Sequence, residues 1–131
     1  NQAIGATAKA DTTDTARKEF DQGFELLMNN DYQAALPSLT RAAQLSPQTS
    51  RYRAYFGKAL SADGSQRHKA ESEMQAAIKL EAENPTYRIM LVEFFLQYNL
   101  LKRAEGELQR ILTAFPGNKE AEAILENLRD Q

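Results

Sequence analysis

The sequence contains few side chains that could carry out catalysis or bind a metal ion. Its only histidine, His68, lies in a basic run with Arg67 and Lys69, and the chain has no cysteine. A zinc site needs several ligands, and a catalytic triad needs a histidine paired with a nucleophile and an acid. We therefore interpret His68 as a solvated loop residue. We predict that the protein is not an enzyme and holds neither a metal ion nor a cofactor.

The acidic residues and glycines are not arranged for catalysis or phosphate binding either. One acidic group stands out, and we interpret it as a solvated surface rather than an acid–base pair: Glu71, Glu73, Glu81 and Glu83. The chain contains no glycine-rich phosphate loop and no GxGxxG motif. These residues give no reason to expect a nucleotide or another small-molecule cofactor.

Charge and hydropathy exclude two further classes of partner. The formal net charge is −2, so there is no overall attraction to nucleic acid or to anionic lipid. No apolar run approaches the ~20 residues that a membrane-spanning helix needs, so we expect no direct membrane insertion.

The elements that must position any binding residues are helices. Apolar residues recur at three- and four-residue spacing from Thr15 onward, and no run of alternating β-branched residues appears. We predict seven helices in one domain over 14–131: three antiparallel pairs and a closing helix at 119–130. Residues 1–13 are small, polar and aperiodic, which indicates a flexible linker. Pro37 lies within the second helix and predicts a late start or a kink.

The helix pairs repeat with a period of 34 to 35 residues. A small residue early in each second helix recurs as Ala35, Ala70 and Ala104, and a large residue follows it four positions later as Leu39, Met74 and Leu108. The single extra residue of the middle repeat falls in the turn between Asp63 and Lys69, where an insertion costs little. The repeats cover about 16–49, 50–84 and 85–118.

This pattern resembles the tetratricopeptide repeat over about Ala16 to Pro116. The small residue at the eighth position of the family pattern is met by Gly23 and Gly57 and replaced by Val92, and the eleventh position is met by Leu26, Leu60 and Phe95. At the fourth position the usual aromatic residue is replaced by Glu19, Arg53 and Arg88. The resemblance implies an all-α, right-handed superhelix (an α-solenoid). Its last repeat would be shielded by Ala121, Ile124, Leu125 and Leu128 of the closing helix.

The resemblance also implies a function, because such repeats bind a peptide or a helix of a partner in a concave groove. We predict a scaffold or adaptor, with Phe20, Phe24 and Leu27 shared between the groove and the core. The residues predicted to line the groove are Arg17, Phe20, Phe24, Leu27, Met28, Arg51, Lys58, Ile89 and Glu93. Some members of the family bind the C-terminal carboxylate of a chaperone through lysine and asparagine side chains. The matching positions here hold no such residue: Phe20, Phe24, Tyr55, Thr86 and Met90.

Two alternatives stay open. The segments 51–60 and 69–80 resemble repeat tails of bacterial J-domain-containing proteins, which would make the chain the repeat region of a larger co-chaperone-like or signalling protein. A self-association module that pairs two copies is the other. The chain starts at Asn1 rather than Met, so we expect a processed product or a fragment whose targeting sequence is missing. A cytoplasmic, bacterial origin is the favoured expectation.

Overall fold

The computed structural model describes the backbone of residues 2–130 and the side chains of residues 11–130. Seven α-helices and a short 3-10 helix at Gly64–Gln66 follow one another in this part of the chain, without a strand. The prediction of an all-α solenoid with seven helices is confirmed. The helices are α1 Gln2–Met28, α2 Tyr32–Leu45, α3 Ser50–Leu60, α4 Arg67–Leu80, α5 Pro85–Gln97, α6 Leu101–Ala114 and α7 Lys119–Arg129.

Each helix packs mainly against its neighbours in the chain. The pairs α1–α2, α3–α4 and α5–α6 share the most extensive contacts, and α7 packs on α6. The first helices of the pairs also touch one another, α1 against α3 and α3 against α5. They therefore line one continuous face of the stack.

The small and large positions of the repeat explain how closely the paired helices approach. A β-carbon added to Gly23 would lie 2.7 Å from Cγ of Leu39. One added to Gly57 would lie 2.9 Å from the carbonyl oxygen of Ala70 and 3.0 Å from Cγ of Met74. Since real β-carbons do not come this close, only glycine allows these two helix pairs to pack as they do.

Ion pairs occupy the place of the missing aromatic residue in all three repeats. The first-helix residue bonds across its pair as Glu19–Arg41 at 3.3 Å, Arg53–Glu73 at 3.2 Å and Arg88–Glu107 at 3.1 Å. The acidic side chain of the pair is more deeply buried in each successive repeat, and only 6% of the Glu107 side chain is exposed. Because a charge that is buried without its partner is costly, these pairs hold each first helix in register with its second.

The turns within the first and third pairs use an asparagine in the left-handed region. Asn30 has φ 64° and Asn99 has φ 58°, each two residues after the last residue of α1 and α5. The following amides bond back to the helix, from Asp31 to the Leu26 carbonyl at 2.9 Å and from Leu100 to the Phe95 carbonyl at 2.8 Å. This is the usual way in which such a residue ends a helix. The longer middle turn instead contains the 3-10 helix, where the extra residue was predicted.

The N-terminal prediction is wrong, because α1 begins at Gln2 instead of following a linker over 1–13. Alanine is frequent in this segment, and alanine has the highest helix propensity, which outweighs the missing apolar periodicity. Pro37 lies within a continuous α2 that starts at Tyr32, where the Asp31 side chain accepts from the Ala34 amide. The helix therefore does not start late.

The core runs along the stack as one cluster of buried apolar side chains. It includes the predicted positions Ala35, Leu39 and Met74, each at most 1% exposed. In α7, Ala121 and Leu125 are buried, while Ile124 and Leu128 pack partly against the cluster. Within residues 2–130 no helix is both long enough and apolar enough to cross a bilayer.

Candidate partner-binding groove

The groove is the face formed by α1, α3 and α5. Six of the nine predicted lining residues are exposed to solvent at least in part: Arg17, Phe24, Met28, Arg51, Lys58 and Glu93. The other three are buried, with Phe20 and Leu27 at 1% and Ile89 at 4% exposure. In this conformation a ligand could not reach these three side chains without displacing core side chains, and their contact with a partner stays a prediction.

An aromatic cluster occupies the α1–α3 side of the groove. Phe20 stacks on Tyr52 at a centroid distance of 4.8 Å and on Phe24 at 5.4 Å, and Phe24 meets the edge of Tyr55 at 5.1 Å. The Arg51 guanidinium lies over both phenylalanines, at 4.6 Å from Phe20 and 5.1 Å from Phe24. Such cation–π contacts hold the cation in place while leaving its hydrogen-bond donors available.

A cavity of about 230 Å³ opens between α3 and α5, next to this cluster. Its buried apolar floor comes from Met74, Met90 and Phe94, and the charged residues Lys58 and Glu93 also line it. Sequence reasoning missed the cavity, although it had predicted Lys58 and Glu93. The remaining lining residues are Tyr32, Ser61 and Gln97.

The cavity wall is fixed by hydrogen bonds from α5 to the end of α3. The Ser61 backbone carbonyl accepts a hydrogen bond from the side-chain amide of Gln97 at 2.9 Å and another from the Tyr98 hydroxyl. Partial burial raises the pKa of the Glu93 carboxyl; Lys58 opposes this shift and Glu120 adds to it. A donor from a ligand, such as a peptide N–H, would relieve the desolvation of this carboxylate.

The groove cations differ in how strongly they are engaged. Arg17 bonds to Asp14 at 2.6 Å and lies 3.7 Å from Asp21, both on its own helix. By contrast, Arg51 and Lys58 form no ion pair within residues 11–130. They are therefore the cations that are available to an acidic ligand.

Solved structures with this arrangement of helices are tetratricopeptide domains. The corresponding domain of Arabidopsis OM64 superposes with a TM-score of 0.76 at 17% sequence identity, covering 91% of this chain and 98% of that one. The chain has a tetratricopeptide-repeat fold. No protein-family model and no curated protein matches the sequence.

Two further solved structures that superpose on this chain contain a bound peptide. One is the Yersinia enterocolitica type III secretion chaperone SycD with a peptide of the translocator YopD, at TM-score 0.73 and 19% identity, covering 88% of this chain and 93% of that one. The other is the second domain of human RPAP3 with the HSP70 peptide SGPTIEEVD, at TM-score 0.74 and 18% identity, covering 94% and 99%. At sequence identities this low, the superpositions establish a common fold and nothing more specific.

Three of the glutamates first considered for chemistry have structural partners in this tetratricopeptide fold. Glu73 pairs with Arg53, Glu71 pairs with Arg103, and Glu81 accepts from the Ser50 hydroxyl at 2.6 Å. His68 is exposed at the start of α4. Within the described side chains, no three histidine or carboxylate groups come together in a way that could hold a metal ion.

Proposed function

We propose that the protein is a non-catalytic interaction module that binds a segment of a partner protein in the groove of α1, α3 and α5. The observation that carries this proposal is the aromatic surface of Phe24 and Tyr55, with Arg51 fixed beside it and an apolar-floored cavity next to it. The peptide complexes of SycD and RPAP3 support it, since proteins of the same fold bind peptides.

The geometry suggests a division of roles between the two parts of the groove. An apolar side chain of the ligand enters the cavity over Met74, Met90 and Phe94, and its backbone bonds to Lys58 and Glu93. A second apolar side chain packs on Phe24, and an acidic residue beside it meets Arg51. Large buried side chains usually supply most of the binding energy, whereas charges set rate and register. An affinity of about 1 μM, or about −8 kcal/mol, is expected for such a site.

Phe24→Ala tests the aromatic part of the groove. A displayed library of random peptides is first selected on the folded protein, and the selected peptide is then titrated by calorimetry. Phe24 is half-buried against the core cluster, and its exposed part is the proposed contact surface for the ligand. Removal of its ring should therefore weaken binding by more than about 1 kcal/mol. Lys58→Ala should instead reduce the salt dependence of binding.

The matched control is Leu80→Ala, which removes a side chain of α4 that is 41% exposed and outside the groove. It should leave the affinity unchanged. Circular dichroism checks that each variant is folded. Unchanged binding by folded Phe24→Ala, or a library selection that enriches no peptide, would show that this face is not the binding surface.

A further inference from the structure

A second cavity, of about 620 Å³, lies on the opposite face of α5 from the groove. Arg88 and Phe95 line it from α5, seven residues apart and therefore on one side of the helix. The groove uses the other side of α5, through Met90, Glu93 and Gln97. Residues of α4 and α6 complete the second cavity: Gln75, Ile78, Lys102, Arg103, Gly106, Glu107 and Arg110.

The second cavity carries excess positive charge. Two cations are largely engaged, since Arg88 bonds to Glu107 at 3.1 Å and Arg103 pairs with Glu71 while lying 4.4 Å over the Phe95 ring. Arg110 also reaches Glu107, at 2.9 Å, but 70% of its side chain is exposed.

An unpaired lysine leaves the cavity able to bind an anionic group. Lys102 forms no ion pair within residues 11–130. Four cations therefore face two carboxylates in this cluster, which leaves a formal local charge of +2.

Gly106 lies in the middle of this surface without an internal packing reason. A β-carbon added there would meet nothing within 4 Å, unlike those at Gly23 and Gly57. A helix with glycine at an interior position is less stable than the same helix with alanine, so Gly106 lowers the stability of α6. Lys102 and Arg110 stand one turn before and one turn after Gly106 on the same face of α6. The missing side chain lets another chain approach the α6 backbone between two cations.

The corresponding surface of the preceding repeat lacks these features. The positions of Lys102, Gly106 and Arg110 are held there by His68, Ser72 and Ala76. The arginines differ as well: Nε of Arg53 donates to the Pro47 carbonyl at 2.7 Å, whereas Nε of Arg88 is buried without a partner in the described part of the chain. The glycine flanked by two cations is therefore specific to the third repeat and is not a general property of the repeat.

We propose that this surface of α4, α5 and α6 is a second docking site, which takes an extended acidic segment of another protein. The segment crosses α6 at Gly106 and places carboxylates on Lys102 and Arg110. These residues are about 12 Å apart along the helix, at 1.5 Å per residue, which matches carboxylates about four residues apart on an extended chain. A local charge of +2 suits a few carboxylates. It does not suit a nucleic acid, which presents a continuous row of phosphates.

The experiment titrates the intact, isotope-labelled protein with a synthetic peptide and follows its amide resonances by NMR. The peptide carries two glutamates separated by three residues, with an isoleucine between them, in a glycine–serine background. The resonances of α6 around Gly106 should shift, and those of the groove helix α3 should not. The double variant Lys102→Glu/Arg110→Glu should weaken binding by about tenfold, while Lys119→Glu, an equal change of charge per site on α7, should not.

Gly106→Gln gives the sharpest test, because fold and binding should respond in opposite directions. Glutamine favours the helix, so the melting temperature should rise by about 3 °C, while the filled cavity should weaken peptide binding by about tenfold. Ser72→Gln, at the same position of the preceding repeat, is the matched control and should leave binding unchanged.

Several outcomes would overturn this proposal without touching the groove. They are shifts confined to α3 and α5, equal binding by Gly106→Gln, or no binding of the acidic peptide. Binding of a uridine oligonucleotide or of phosphatidylserine vesicles in preference to the peptide would assign the surface to a different class of ligand. Concentration-dependent shifts of α6 in the absence of peptide would assign it to a second copy of the chain.

Discussion

The helical glycines Gly57 and Gly106 look alike in the sequence but have opposite surroundings in the structure. Gly57→Ala should lower the free energy of unfolding by about 1–3 kcal/mol, since its β-carbon would press on the Ala70 carbonyl, which cannot move independently of α4. Gly106→Ala should raise it by about 0.5–1 kcal/mol, the helix propensity difference, because nothing lies within 4 Å. Urea unfolding followed by circular dichroism measures both. Equal effects of the two substitutions would contradict this account of helix packing.

The groove residues also predict which acidic peptides the protein will not recognise. The positions that would bind a chaperone's terminal carboxylate hold none of the lysine or asparagine donors required: they are Phe20, Phe24, Tyr55, Thr86 and Met90. We expect no specific binding of chaperone C-terminal peptides. Calorimetry with such a peptide and its amidated form checks this. Micromolar binding that is lost on amidation would show that other residues bind the carboxylate.

The binding residues could be predicted only in part, for reasons visible at single positions. Repeat position predicts that Arg51 and Lys58 lie on the same side of α3, since that depends on helical periodicity alone. It predicts Phe20 on the groove face but cannot show that Tyr52 and Arg51 cover its ring. Large side chains fold onto their neighbours, and a single sequence does not give these contacts. The cavity next to the cluster is harder still, because α2, α3, α4 and α5 all contribute to it.

At the scale of the elements, α7 closes the last repeat. Ala121 is fully buried and Leu125 is 7% exposed, and the Asn118 side chain caps the helix by accepting from the Ala121 amide at 2.8 Å. Truncation after Gly117 should uncover the apolar face of α6, lower the melting temperature and promote aggregation. Thermal unfolding with light scattering measures both. A truncated chain that stays monomeric with an unchanged melting temperature would show that α7 does not stabilise the stack.

The helices themselves could be predicted closely because two independent signals agree. The apolar spacing places each helix, and the period aligns the pairs, so α2 to α7 lie where they are expected. At α1 the signals separate: residues 2–13 have helix-forming alanines but no apolar face, and periodicity alone misses the helix. Pro37 shows the reverse case, where packing of α2 keeps a helix continuous against a local preference.

At the scale of the whole molecule, the exposed surface favours a monomer. The large apolar side chains that are well exposed among residues 11–130 are Met28, Leu80 and Leu101, on three different helices. Stable homodimers usually bury a contiguous apolar patch, and isolated residues do not supply one. We expect light scattering to give a mass near 14.7 kDa at micromolar concentration. Twice that mass would favour the self-association alternative.

The order in which the helices pack has a mechanical consequence. Because each helix rests mainly on its neighbours in the chain, a force that pulls the two ends apart loads the interfaces in series. The stack then opens one interface at a time, beginning with α7, which is held chiefly by α6. A ligand seated across α1, α3 and α5 would bridge several interfaces at once. A bound ligand would therefore resist the stepwise separation of the helices and make the stack stiffer along its length.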